Sequence, residues 1–304
     1  MLAAVLLAGC SDEASELKSA DHTQEQKTEI TIKADVNAMH TRATTFSADA
    51  DLQAQGSFTC TAYNANTTTA YIPTTTVDWN STTSKWEFNN GSSHYYWPLP
   101  ATEGGAYPSL DFFGYMPTTT PSYITTGPTY TADHNVTFTC GSLPMQSATE
   151  FIYGVATGQN YGNASAGVPL NFQHPFARIT LQWANYDHSR ITINSITLKN
   201  IKNNGTYRSD DSPQWTPSGA DANLTVTTLD SYGTATPVYY IVVPQSWAGE
   251  IEVSATWDVW DESITHTLTT TVPTTWQPGY SHTYTFTITD TDLKVDTERF
   301  TEQW

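Results

Sequence analysis

The chain has 304 residues, with Lys+Arg 12 against Asp+Glu 30 and a formal net charge of −18. Nucleic-acid binding requires a basic footprint, so that class is excluded, and charged residues at only 14% set the chain apart from highly charged disordered sequences. The length suggests about two domains. Abundant Thr, Tyr and Trp favour pleated, half-buried strands.

In chain order, the first signal is Leu7-Ala8-Gly9-Cys10, an apolar run ending in small residues and a cysteine, followed at once by polar Ser11-Asp12-Glu13. An ordinary secretory cleavage site needs no cysteine. Residues 1–10 therefore read as a lipoprotein signal peptide, with Cys10 as the lipid-bearing mature N-terminus. Residues 11–28 are polar and aperiodic, as suits a flexible tether. Glu29–Asn37 then alternates Ile30, Ile32, Ala34 and Val36 on one face, a single strand. After it comes the dipeptide Arg42-Ala43, in a stretch poor in other cations.

From about Thr44 short strand signals alternate with Gly, Pro and Asn: Ser57–Tyr63, Lys85–Phe88, His94–Leu99, Leu110–Met116, Val136–Thr139 and Glu150–Ala156. Gly158–Gly167, dense in turn formers, reads as a domain boundary. A second series spans Val168–Phe172, Ala177–Trp183, Ile191–Lys199, Leu224–Thr228, Pro237–Val243, Glu250–Trp257, Thr265–Val272 and His282–Ile288. No long helical periodicity occurs, and beyond the leader no apolar stretch approaches the roughly 20 residues of a membrane helix. The pattern predicts an all-β chain of two sandwiches, over 29–160 and 168–290. In the tail, 291–304, Leu293 and Val295 share one face, whereas Phe300 and Trp304 lie on the other register, which predicts a kink near Arg299.

Signals for chemistry are missing. There is no nucleophile elbow, phosphate loop or paired-cysteine metal motif, so no enzyme, metal or cofactor is expected. His174, beside Pro175, reads as a packing or hydrogen-bonding residue. The acidic groups Asp210-Asp211, Asp258/Asp261/Glu262 and Asp290/Asp292/Asp296 do not match a calcium loop and read as solvated surface. Trp79, Trp86, Trp97, Tyr95 and Tyr96 offer either a sugar-stacking platform or sandwich core, and core is the commoner use of aromatics. Cys60 and Cys140 are either a disulfide, which an extracytoplasmic location permits, or two buried thiols.

Several stretches, in order, resemble the fimbrillin family of the Bacteroidales, the lipoprotein-derived subunits of type V pili. They are Tyr95-Tyr96-Trp97-Pro98 with Leu110–Pro117, then Leu170–Leu181 with its Phe172, His174, Ala177 and Ile179. Ile193–Ile201 with Gly205-Thr206-Tyr207 and Trp215 comes next, followed by Val242–Gln245, and by Trp276–Tyr280 with Tyr284-Thr285-Phe286. The resemblance implies two tandem transthyretin-like β-sandwich domains in a non-enzymatic fimbrial subunit that supports adhesion. It implies a precursor anchored by palmitate and lipid at Cys10, exposed on the cell outer membrane and cut after Arg42, before Ala43. That cut would remove residues 29–42 with Ile30, Ile32, Ala34 and Val36, opening a groove for a strand from another subunit in a homo- or heteropolymer. The tail with Leu293, Val295, Phe300 and Trp304 is the candidate donor. Host or bacterial surface ligands are the remaining expected partners. The alternative is a monomeric surface lipoprotein that binds glycans through exposed aromatics.

Overall fold

The computed structural model of the chain describes residues 27–36, 49–185, 187, 189–227, 238–259, 262–289 and 292–303. In chain order these hold β1 (Ile32–Val36), a short helix α1 (Asp49–Gln55), β2 (Ser57–Asn64), β3 (Ala70–Asn80), β4 (Lys85–Phe88), β5 (Leu110–Met116), β6 (Ile124–Tyr130) and β7 (Val136–Cys140). There follow β8 (Ile152–Gln159), β9 (Val168–Gln173), β10 (Ala177–Asn185), β11 (Ile191–Arg208), β12 (Trp215–Val226) and β13 (Val238–Val242). The last are β14 (Ser246–Trp247), β15 (Glu250–Val259), β16 (Glu262–Thr271), β17 (Thr274–Thr275), β18 (Tyr280–Ile288) and β19 (Leu293–Gln303). The protein is all-β, as its composition predicts.

Seven strands close a barrel in the order β1-β4-β3-β2-β5-β8-β9. Its interior is an apolar cluster that includes Phe58, Ile72, Trp86, Phe88, Leu110, Phe112, Ile152, Leu170 and Phe172, with Leu52 of α1 packed into it. Period-two alternation places these residues inside. On β5 and β8 the outward set is covered as well, because Phe113 and Tyr153 join the core of the second body. This double burial explains why FFGYM, after the buried Asp111, carries no polar side chain on its inward or outward face apart from the Tyr115 hydroxyl. Gly114 and Gly154 pair across β5 and β8, where a Cβ on Gly114 would lie 2.7 Å from Leu170 Cδ2. The two glycines make room for the Leu170 side chain of β9.

The second body has a four-stranded sheet, β13-β10-β18-β19, and a six-stranded sheet, β16-β15-β11-β7-β6, with β12 also paired to β11. Ile179, Leu181, Ile196, Leu198, Val253, Phe286 and Trp276 are among its buried core residues. Two features depart from the sequence reading. The hairpin β6–β7 leaves the chain between two barrel strands yet pairs with β11, where Tyr207 opposes Phe138 and their rings stack at 4.8 Å. Conversely, β9, expected to open the second sandwich, belongs to the barrel, because Val168, Leu170 and Phe172 alternate into the barrel interior. The turn-rich stretch before β9 is thus a loop of the barrel. There Asn160 Oδ1 accepts from the amides of Gly162 at 2.9 Å and Asn163 at 3.3 Å, and Ala164 is buried in the barrel cluster.

The passage between the two bodies falls at His174-Pro175-Phe176. His174 hydrogen-bonds buried Glu150 through Nδ1, and Trp215 Nε1 donates to the Pro175 carbonyl. His174 therefore has the hydrogen-bonding role its position suggests. A second tie is the buried pair Tyr153 Oη and Tyr207 Oη, 2.6 Å apart, joining β8 to β11.

Candidate functional site at the barrel seam

The alternating segment before Arg42 is the strand that closes the barrel. β1 runs parallel to β9 from Ile32↔Val168 to Val36↔Phe172 and meets β4 antiparallel at Ile32↔Trp86. Ile30, Ile32, Ala34 and Val36 are all buried in the barrel cluster, whereas Thr31 and Lys33 are exposed. Backbone bonds continue the seam beyond the strand. The Ile30 amide donates to Tyr95 O at 2.7 Å, the Trp97 amide to Thr28 O at 3.0 Å, and the Val168 amide to Thr31 O at 2.8 Å. At the other end the Val36 amide donates to Asp49 Oδ1 at 3.0 Å, and near the start Glu29 meets His94 Nδ1 at 2.7 Å in an exposed contact.

No hairpin joins β1 to either neighbour. A parallel partner cannot be reached by a tight turn, and β9 begins at Val168, far along the chain. Between Val36 and the start of α1 at Asp49 lies the segment containing Arg42 and Ala43, which is outside the described residues, as is Cys10.

The C-terminal tail forms β19, an edge strand paired antiparallel to β18 from Ile288↔Leu293 to Tyr280↔Gln303. Val295 packs against the second core, and the register shifts between the pairs Ser281↔Phe300 and Tyr280↔Gln303, next to the kink predicted at Arg299. Trp304 lies outside the described residues.

Cys60 and Cys140 are free and buried, one in the barrel cluster and the other in the second core. The disulfide alternative is therefore not realised, since the fold places the two residues in separate cores. Burial pushes both thiols up to about 12. Of the five aromatics offered as platform or core, Trp86 and Trp97 are buried, and Trp79 and Tyr95 pack partly buried against the barrel core. Only Tyr96 is exposed. Arg208 pairs with Asp210 at 2.9 Å and Asp211 at 3.3 Å, and among the described residues no group of His, Cys, Asp or Glu is arranged to hold a metal ion. No helix among them is long and apolar enough to cross a membrane.

The sequence profile of the fimbrillin-like family matches residues 19–304. The chain belongs to the fimbrillin-like family. Fimbrillin-like proteins are structural and non-enzymatic, in keeping with the lack of catalytic motifs in the sequence. Two crystal structures share the fold. One, described as a candidate cell adhesion protein from Bacteroides uniformis, is 13% identical with a TM-score of 0.57, covering 90% of this chain and 97% of its own. The other, described likewise and from Bacteroides ovatus, is 15% identical with a TM-score of 0.52, covering 92% of this chain and 98% of its own. No curated protein shows significant sequence similarity to the chain.

Proposed function

We propose that this fimbrillin-like chain is a structural subunit of a cell-surface fimbria, made as a lipoprotein precursor and assembled by exchanging β1 for a strand of another subunit. The observation that carries the reading is the seam: one N-terminal strand, free of any hairpin to its neighbours, completes the barrel between β9 and β4. Proteolysis after Arg42 would free it. Its departure would expose the edge of β9 and an apolar slot beside Trp86 and Phe172, an unpaired edge of the kind that invites strand addition.

Each of Ile30, Ile32 and Val36 contributes roughly 1.5–3 kcal/mol of burial, and each ladder bond about 0.5–1.5 kcal/mol. An incoming strand with the same alternation recovers those terms. Repeated head to tail, the contact makes a filament and not a closed ring. In this reading the barrel and the second body are the family's two tandem transthyretin-like sandwiches, and lipid on Cys10 holds the precursor at the cell outer membrane before it joins the fimbrium. Its partners are other fimbrial subunits, with a surface ligand at the adhesive end.

The test is capture of a labelled peptide of residues 28–36 (TEITIKADV) before and after treatment with an arginine-specific protease. Cleavage after Arg42 is expected to release the native strand and let the peptide enter, giving a complex that survives SDS on an unheated gel. Arg42→Ala is expected to abolish capture. Equal capture by the uncleaved chain, or none after complete cleavage, refutes the reading.

A further inference from the structure

Among the described residues six large apolar side chains are exposed, and five of them (Tyr71, Tyr96, Leu99, Tyr107 and Tyr161) gather at one end of the barrel. Clustering of this kind on a protein surface marks an interaction site, whereas scattered apolar residues do not. The five line two adjoining clefts of about 470 and 520 Å³. The first lies between Tyr71, His94, Tyr96 and Leu99, and the second between Glu29, Leu99, Tyr107 and Tyr161. Lys27, Trp97 and Leu99 border both, so the two clefts adjoin as the halves of one groove.

We infer that this groove binds a neutral oligosaccharide in the uncleaved chain that still carries β1, with tyrosine rings as stacking faces and Glu29, His94 and Lys27 as hydrogen-bonding groups. Tyr107 and Tyr161 stand with ring centroids 5.2 Å apart at 59°, and the Tyr71 hydroxyl donates to the Tyr96 carbonyl at 2.6 Å, fixing the first wall. Rigid tyrosines supply amphipathic contact area at low conformational cost. A sugar ring presents the matching pair of surfaces, an apolar C–H face and a rim of hydroxyls.

Other ligand classes fit less well. A peptide strand needs a free backbone edge, yet the Tyr95 carbonyl and the Trp97 amide are already taken by Ile30 and Thr28. A polyanion is opposed by a chain of net charge −18, and among the described residues lining the two clefts Lys27 is the one lysine or arginine. A lipid tail needs an enclosed apolar cavity, and these clefts are open and rimmed by hydroxyls and charges.

The test uses the full-length chain carrying Arg42→Ala, so that Lys27 and Glu29 stay in place and a failure of strand exchange does not affect the result. Its migration is followed in native gels containing galactomannan, arabinoxylan or mixed-linkage β-glucan, with polygalacturonate as the acidic comparison, and isothermal titration calorimetry gives the affinity. At least one neutral glycan is expected to retard it and polygalacturonate to leave it unchanged. Y107A/Y161A should weaken the affinity about tenfold or more, with Tm preserved because both rings are exposed, whereas I264A on distant β16 should bind as before. Absence of retardation by every neutral glycan, or equal binding by Y107A/Y161A, overturns the inference. It is also overturned if the chain self-associates through the groove and sugars leave that association intact.

Discussion

Replacing Ile30 by Ala tests whether the seam opens as a unit of its own. Ile30 is 1% exposed and belongs to the barrel cluster, so truncation removes three buried carbons and leaves a cavity, a change that typically costs about 2–5 kcal/mol. If β1 can leave the barrel while the rest stays folded, that cost falls on the local opening step. The reporters are three amides that span the seam: Ile30 to Tyr95 O, Trp97 to Thr28 O, and Val168 to Thr31 O. Their hydrogen exchange should accelerate by about thirtyfold or more, the lower end of that range at 1.36 kcal/mol per tenfold. Val253, paired to Ile196 and Leu268 deep in the second body, should exchange as in the parent chain. Amide exchange read by NMR or by mass spectrometry of short peptides separates the two regions. Uniform acceleration across seam and second body would refute the reasoning, because β1 would then leave only when the whole protein unfolds.

Three further outcomes follow from the same packing. Cys60 and Cys140, with thiols pushed up to about 12 by burial, should be inert to Ellman's reagent at pH 8 in the native protein and both react in guanidinium. In strong alkali the buried tyrosines Tyr207 and Tyr240, also raised to about 12 by burial, keep protons that the unfolded chain loses near pH 10. Their contribution to stability is full below about pH 10 and is lost as pH climbs toward 12; urea midpoints measured across that window should fall. A Cβ at Gly154 would sit 2.9 Å from the Asn171 carbonyl oxygen and 3.1 Å from Leu170 Cγ. Gly154→Ala should therefore destabilise by about 1–3 kcal/mol, and a urea midpoint equal to that of the parent would show that β9 shifts freely.

Strands with clean alternation or dense apolar content were legible from residues alone, β1, β2, β5 and β18 among them. β3 was not, because AYIPTTTVDWN buries only Ile72 and Val77 and carries Pro73 in its interior. The structure puts Pro73 where the register with β2 shifts between Cys60 and Ala62, and such a bulge tolerates a missing amide. β6, with Gly127-Pro128 and mostly exposed threonines, is an edge strand and escapes for the same reason. The crossing of β6–β7 into the second body depends on contacts such as Phe138 with Tyr207 and Trp215, which link residues far apart in sequence and leave no periodic trace. The aromatic groove was legible only in part: Tyr95, Tyr96 and Trp97, offered as a platform from sequence, line its first cleft. Tyr71, Tyr107 and Tyr161 sit in unrelated loops and strands, and only closure of the barrel brings them to one rim.

The seam also constrains what can replace β1. A one-residue slip exchanges the buried and exposed sets of a strand, so the replacement must carry apolar side chains at four successive alternate positions, as Ile30, Ile32, Ala34 and Val36 do. The chain's own tail fails this requirement in both registers. One face reads Leu293, Val295, Thr297, Arg299 and the other Lys294, Asp296, Glu298, Phe300. Either would put charge into a barrel interior made of Phe, Trp, Leu and Ile, where an unpaired ion costs several kcal/mol. The tail is already engaged as β19 with Val295 on the second core. The tail is therefore a poor replacement for β1, and a strand with the alternation of residues 28–36 is the better one. A labelled peptide of residues 292–304 should compete poorly with the 28–36 peptide for the cleaved chain, even in excess. Equal SDS-resistant capture of both would show that the opened barrel does not select by alternation, and would restore the tail as a donor.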